Sequence, residues 1–266
     1  PSPPAPPSPP SPPSPASAVA RVLVTAVDQN NPVNFMVLEG TVRSDGTINW
    51  STNLLSRNLD YYHEFSNGSV LLYDRSDKSL FRYTTGAPIQ LTNVTDVSGG
   101  TISTITGTVG FADIGVGNIF LPNFVVIHSG DDLRIITSSG AVVQVRGASQ
   151  PARLVYAGRE YLVVHNGGSP NQHVYIVRQN GNVTVLDWND ATAGIQPISN
   201  AQVRLLDRVQ GTDIILLGPS STGSPNAVYV ILEDGTPVML TNSGGLTGDD
   251  PVVQLLDGKI RRDANG

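Results

Sequence analysis

The sequence predicts an all-β fold, and three observations carry that expectation. Helix-favouring residues are scarce: 266 residues contain two Lys (Lys78, Lys259) and four Glu (Glu39, Glu64, Glu160, Glu233), and charged residues make up 14% of the chain. Turn formers are abundant, with 27 Gly and 20 Pro. Between the turns stand short β-branched runs that repeat one pattern of strand, Gly-containing turn and strand.

The first element is different in kind. Residues 1–15, PSPPAPPSPPSPPSP, hold ten Pro, four Ser and one Ala. Such a segment has no apolar face to bury and favours a solvated polyproline II rod, roughly 45 Å long at about 3.1 Å per residue. The expected division is a Pro/Ser-rich tail or linker at 1–18 and a β domain at 19–266. The chain starts at Pro1 without Met or an apolar signal core, so it reads as a processed product or an engineered piece of a longer chain.

The repeat follows. Its clearest copies are His173–Leu186 around Gly181 and Ala227–Leu240 around Gly235. Weaker copies surround Gly46, Gly86 and Gly140, and the turn glycines are separated by 40, 54, 41 and 54 residues. That spacing brackets a four-stranded unit and is the period of a β-propeller blade. Two more strands precede each hairpin: Val203–Asp207 and Asp213–Leu217 ahead of Gly235, Arg153–Tyr156 and Glu160–Val164 ahead of Gly181. Unbroken apolar runs such as Ile214–Leu217 should be covered on both faces, while alternating ones such as Val183–Val185 should lie outside.

Four complete units end near Leu240, leaving an N-terminal piece (Arg21–Trp50) and a C-terminal piece (Val252–Arg262). Val252–Asp257 echoes Val203–Asp207, so donating it to the first blade would close five four-stranded blades without an open edge. A sixth blade, or a sandwich with a fortuitous repeat, is the alternative.

Composition excludes several functions. Without Cys there is no disulfide, thiolate catalysis or Cys-bound metal. A net charge of −6, with no basic cluster longer than Arg261-Arg262, does not favour nucleic acid. No apolar run reaches the roughly 18 residues of a membrane span. No nucleophile elbow, zinc-helix, phosphate-loop or EF-hand pattern occurs, and no cofactor or metal is implied.

Aligning the second strands places Tyr73, His128, His165 and Gly218 at equivalent ends. Asp74, His128, Asp132 and His165, with His173 across the 166–172 loop, are therefore the candidate ligand-binding residues near one mouth of a central channel. The competing reading makes them water-exposed loop residues. Sequons at Asn49, Asn67, Asn93 and Asn182 are candidate glycosylation sites. Trp188 and Tyr61-Tyr62 are candidates for a sugar-stacking platform.

Two resemblances add to this. The Ser-Pro-Pro tracts resemble the spacers of secreted bacterial surface proteins and the stalks of plant and algal wall glycoproteins, which implies an extracellular or cell-surface location. Ser44–Trp50 resembles the Asp box of sialidase-type blades, in which the Trp fills the gap between sheets, so Trp50 is expected in the core. Three functions are weighed. The first is a secreted, non-enzymatic structural propeller whose residues 1–18 anchor it or assemble it into an extracellular polymer. The second is a lectin-like module for a cell-wall or surface glycan, and the third a propeller glycosidase or lyase.

Overall fold

The computed structural model describes residues 16–50, 59–107, 117–148, 150–167, 173–186, 203–219, 228–240, 258–261 and 263. Among them are strands and turns and no helix, which makes the fold all-β. The chain divides into two units, Pro1–Tyr61 and Tyr62–Gly266.

The first unit is a long hairpin with a short third strand: β1 (Ala18–Asp28), β2 (Asn31–Arg43) and β3 (Ile48–Trp50), in that order. Arg21 pairs with Glu39 across the hairpin at 2.8 Å. Trp50 is not in the core: it is 48% exposed. It stands opposite Gly40 in the ladder, and its ring occupies the space a Cβ at Gly40 would need. The indole thus covers a glycine within its own sheet.

The second unit begins within β4 (Leu59–Glu64), the first strand of a meander completed by β5 (Val70–Asp74), β6 (Leu80–Tyr83) and β7 (Ile89–Gln90). A hairpin of β8 (Asn93–Ser98) and β9 (Thr101–Thr106) comes next. The second meander is β10 (Ile119–Phe120), β11 (Phe124–Ser129), β12 (Asp132–Thr137) and β13 (Val142–Val145). The third is β14 (Arg153–Ala157), β15 (Tyr161–His165), β16 (Val174–Arg178) and β17 (Val183–Leu186). The fourth is β18 (Val203–Arg208), β19 (Ile215–Pro219), β20 (Tyr229–Ile231) and β21 (Pro237–Met239). Strand β8 pairs parallel to β13, so the hairpin extends the second sheet to six strands. That inserted hairpin lies within the 54-residue interval between Gly86 and Gly140.

Successive sheets of the second unit pack face to face, and period-two alternation splits β11 and β15 each between two neighbours. On β15, Leu162 and Val164 join Phe124, Val126 and Val143 of the second sheet. Tyr161 and Val163 of the same strand join Ile215, Leu217 and Tyr229 of the fourth. On β11, Val125 and Ile127 meet Leu71 and Leu80 of the first sheet in the same way. This order of meanders is consistent with a β-propeller.

One turn recurs at Gly46, Gly68, Gly140, Gly181 and Gly235. In the Gly235 copy, Gly235 N donates to Leu232 O and Leu232 N donates to Thr236 O, both at 2.9 Å. The glycine takes φ of +81°, the left-handed step that closes a type I turn with a bulge. The preceding Asp234 accepts from Thr236 N and Oγ1, and Asp45 accepts from Thr47 in the same manner. These hydrogen bonds hold both carboxyls below their ordinary value of 3.8.

The turns also lock neighbouring sheets together. Arg82 Nε donates to Ser138 O at 3.2 Å, and Arg178 donates to Asp234 O and Gly235 O at 2.9 and 2.8 Å. A Cβ at Gly140 would lie 2.7 Å from Arg82 Cδ, so that turn needs glycine for space as well as conformation. Val252–Asp257, the expected closing strand, lies outside the described residues. Just beyond it, Ile260 N donates to Asp207 Oδ2 at 3.0 Å and Lys259 stands 3.7 Å from Oδ1.

Candidate functional site

Of the residues singled out in the sequence, Asp74, His128 and His165 lie at or next to the ends of second strands, Asp132 opens β12 and His173 stands just before β16. Asp74 closes β5, is buried, and accepts from Ser76 N at 2.8 Å and from its hydroxyl. Asp132 accepts from Gln144 Nε2 at 2.8 Å and Gly147 N at 3.0 Å, with Arg146 at 3.6 Å. His128 is exposed on β11 opposite Leu133.

His165 is buried at the end of β15, where its Nδ1 accepts from Gly167 N at 3.0 Å. It pairs with Val174 in the ladder, next to His173, so the third sheet does bring these two histidines near each other. The His173 backbone N donates to Asn166 Oδ1 at 3.0 Å. Its ring supports Gly100 of the β8–β9 turn, whose N donates to Tyr175 Oη at 3.1 Å. Burial raises the Tyr175 phenol above 10.0, keeping that hydroxyl protonated. Asp74 belongs to the first sheet, two sheets away. Among the described residues no three His, Asp or Glu are arranged to hold a metal ion.

The opposite end of β15 carries a polar cluster that the sequence reading did not single out. Asp213 accepts from Tyr156 Oη at 3.0 Å, Arg159 N at 2.6 Å and Glu160 N at 2.9 Å. Its own N donates to Glu233 Oε1 at 3.2 Å, and its carbonyl accepts from the Tyr161 hydroxyl. Burial and the adjoining carboxylate push Tyr156 up to about 12, and burial raises Tyr161 too. Arg159, Glu160, Arg208, Thr212, Asp213 and Glu233 line a cleft of about 250 Å³. Glu160 also accepts from Gln179 Nε2. The carboxylate of Asp213 is therefore used to hold the third sheet to the fourth. The signal in the sequence was slight: a lone Asp before the buried run Ile215–Leu217.

A third cluster is aromatic. Phe120 on β10 is 47% exposed, with Tyr62 and His63 of β4 at ring separations of 5.3 and 5.4 Å. Tyr73 lies 6.4 Å from Tyr62, and Asn118 Nδ2 donates to the Tyr62 hydroxyl at 2.8 Å. Burial lowers His63 below 6.5 and raises Tyr62 and Tyr73 above 10.0, so all three are neutral at pH 7. Tyr61, its neighbour in the expected platform, is exposed, while Trp188 lies outside the described residues.

Of the sequons, Asn49, Asn93 and Asn182 are exposed. Asn67 is exposed too, yet its Nδ2 donates to Ser138 O at 2.9 Å and joins the first sheet to the second. A glycan on that nitrogen would compete with the bond.

No family model matches this sequence, and no curated protein does. Among solved structures the chain is similar to a catalytically inactive virginiamycin B lyase from Staphylococcus aureus with quinupristin, at 12% identity over 84% of this chain and 70% of that one, TM-score 0.27. It is also similar to the N-terminal domain of Nup159, at 11% identity over 82% of this chain and 64% of that one, TM-score 0.27.

Proposed function

We propose that the chain is a secreted, non-enzymatic structural β-propeller of five four-stranded blades, with the Pro-rich arm at 1–18 anchoring it or joining subunits into an extracellular polymer. The observation that supports this reading best is the use made of the polar side chains. Asp74, Asp132, His165 and Asp213 sit where a ligand site would be built, and each accepts from backbone N–H groups of the fold. Residues spent on turns and inter-sheet ties make a rigid block rather than a reactive centre. In the proposed fifth blade, β1–β3 would receive the 252–257 segment as a fourth strand.

Deleting residues 1–15 tests the arm while keeping the Ser17 bonds to Ser44. The domain stays folded by circular dichroism, and static light scattering shows loss of assembly. Identical scattering by the full and shortened chains, at matched concentration, overturns the role of the arm.

One observation favours a second reading, a carbohydrate-binding module. The exposed Phe120 ring, flanked by neutral Tyr62 and His63, offers an apolar face to a sugar ring. Calorimetric titration with cell-wall oligosaccharides, lost in Phe120→Ala, would establish it.

A further inference from the structure

The β8–β9 hairpin ends the second sheet with a strand that nothing else in the described residues pairs. All of Thr101–Thr106 is exposed, including Ile102 at 46% and Ile105 at 41%. Edge strands in folded proteins are usually guarded by Lys, Pro, a bulge or a covering segment. Here the register runs without a shift from Asn93↔Thr106 to Ser98↔Thr101, and residues 98–107 contain neither a charge nor a proline.

Which backbone groups face outward follows from the ladder. Gly107 N donates to Thr92 O at 3.0 Å, so Gly107 lies in a hydrogen-bonded pair. Antiparallel pairs alternate, which places Ile105, Ser103 and Thr101 inward as well. The N–H and C=O groups of Ile102, Thr104 and Thr106 therefore point to the open edge.

We propose that this edge is a self-association surface that takes β9 of a second copy in antiparallel register about a two-fold axis at Thr104. The outward set is symmetric about its middle member: Ile102 meets Thr106 of the second copy, Thr104 meets Thr104, and Thr106 meets Ile102. Each pair exchanges two backbone hydrogen bonds, so every outward group is satisfied. The isologous arrangement closes on itself as a dimer. Thr–Thr contact at the axis and the half-exposed Ile102 and Ile105 side chains add to the ladder. A net charge of −6 disfavours contact between copies in general, but the stretch at 98–107 carries no charge, so strands paired along it set no like charges together. A foreign strand selected by charge would find nothing here to read. One six-residue strand pair falls short of the roughly 1,200 Å² of a standard stable interface, so the dimer is weak and concentration-dependent. The surface goes beyond the arm-driven assembly proposed above and does not depend on it.

The test is sedimentation equilibrium on the full chain, from micromolar to millimolar, with hydrogen exchange read at single amides. The average mass of the full chain rises with concentration from at least that of one chain, 28.1 kDa, and Thr104→Lys lowers it; without residues 1–15 it rises only from that of one chain toward that of two. Amide exchange at Ile102, Thr104 and Thr106 slows with concentration, while that at Ser103 and Ile105 does not change. Thr104→Lys, which sets two ammonium groups together at the axis, weakens association about tenfold or more at an unchanged melting temperature. Thr104→Pro, which removes an outward donor, does the same. A chain that stays monomeric, or that associates equally well as Thr104→Lys, overturns the proposal. So does protection of the three amides that is independent of concentration, because the edge is then covered by a segment of its own chain. Loss of association on deleting residues 1–15, with Thr104→Lys silent, assigns assembly to the arm and also overturns it.

Discussion

Strands β15 and β9 differ by one residue in length and lie in adjacent sheets, yet every residue of the first is buried and every residue of the second is exposed. Both have strong β propensity. What separates them is how many faces their sheets have covered: β15 is packed on both sides, whereas β9 has solvent on both and an open edge besides. The residues follow suit, a continuous apolar run in Tyr161–Val164 and two Ile set three apart among Thr and Ser in β9. Propensity makes a strand, and coverage decides what it is worth.

The largest expected effect lies on the covered side. Leu162→Ala removes a side chain that is fully buried against the second sheet and should cost about 2–5 kcal/mol. Its melting temperature should fall by roughly 5–15 °C. Ile105→Ala on β9 should stay within about 0.5 kcal/mol. Equal shifts for the two variants in thermal circular dichroism would break the comparison.

Between these lies the point where the exposed hairpin touches a buried sheet. Gly100 has φ of +80°, and a Cβ there would approach His173 Cε1 to 2.8 Å. Gly100→Ala should cost about 1–2 kcal/mol through backbone strain and the displaced ring. Amide exchange should quicken in β8 and β9 and stay slow in β15. Uniform acceleration would mean that the hairpin and the meanders open together.

The smallest effect sharpens the covered side by pH. The Tyr156 pKa rises from 10.0 to about 12 on folding, chiefly through burial and then through Asp213. A raised folded pKa means its stabilisation is whole below pH 10 and is lost as pH climbs toward 12. Alkaline denaturation of Tyr156→Phe should show a shallower loss across that window than the wild-type chain. An unchanged slope would assign the alkaline limb to other groups, Tyr161 first among them.

Much of the sheet order was legible because Gly-centred turns and paired strands leave local signals. Gly140, Gly181 and Gly235 mark turns of one type, and the strands expected at 153–156, 160–164, 203–207 and 213–217 lie within two residues of β14, β15, β18 and β19. The β8–β9 hairpin escaped because its turn, Gly99-Gly100, lies outside the period, and Thr-Ile-Ser-Thr-Ile-Thr, with its Ile three apart, lacks the period-two signal of a half-buried strand. Trp50 misled because an indole has two ways to be useful, and covering Gly40 within one sheet leaves the same residue type behind as filling a core. The site was the least legible part. His165 and His173 were placed near each other by strand pairing, but the jobs of Asp74, Asp132 and Asp213 depend on which backbone N–H groups the turns leave over, and those are fixed only by the fold.

Two arginine ties between sheets run forward along the chain. Arg82 reaches forward to Ser138 and Arg178 forward to Asp234, each 56 residues later. On a ribosome adding about 5–20 residues per second, each guanidinium leaves the tunnel roughly 3–11 s before its acceptor does. At those two steps the nascent molecule therefore carries an unfinished flank at its growing end, with a cation exposed where the next turn will seat. Translation speed sets how long that flank stays open to the cell, and a pause between two sheets would prolong its exposure just when the newest apolar face has no cover.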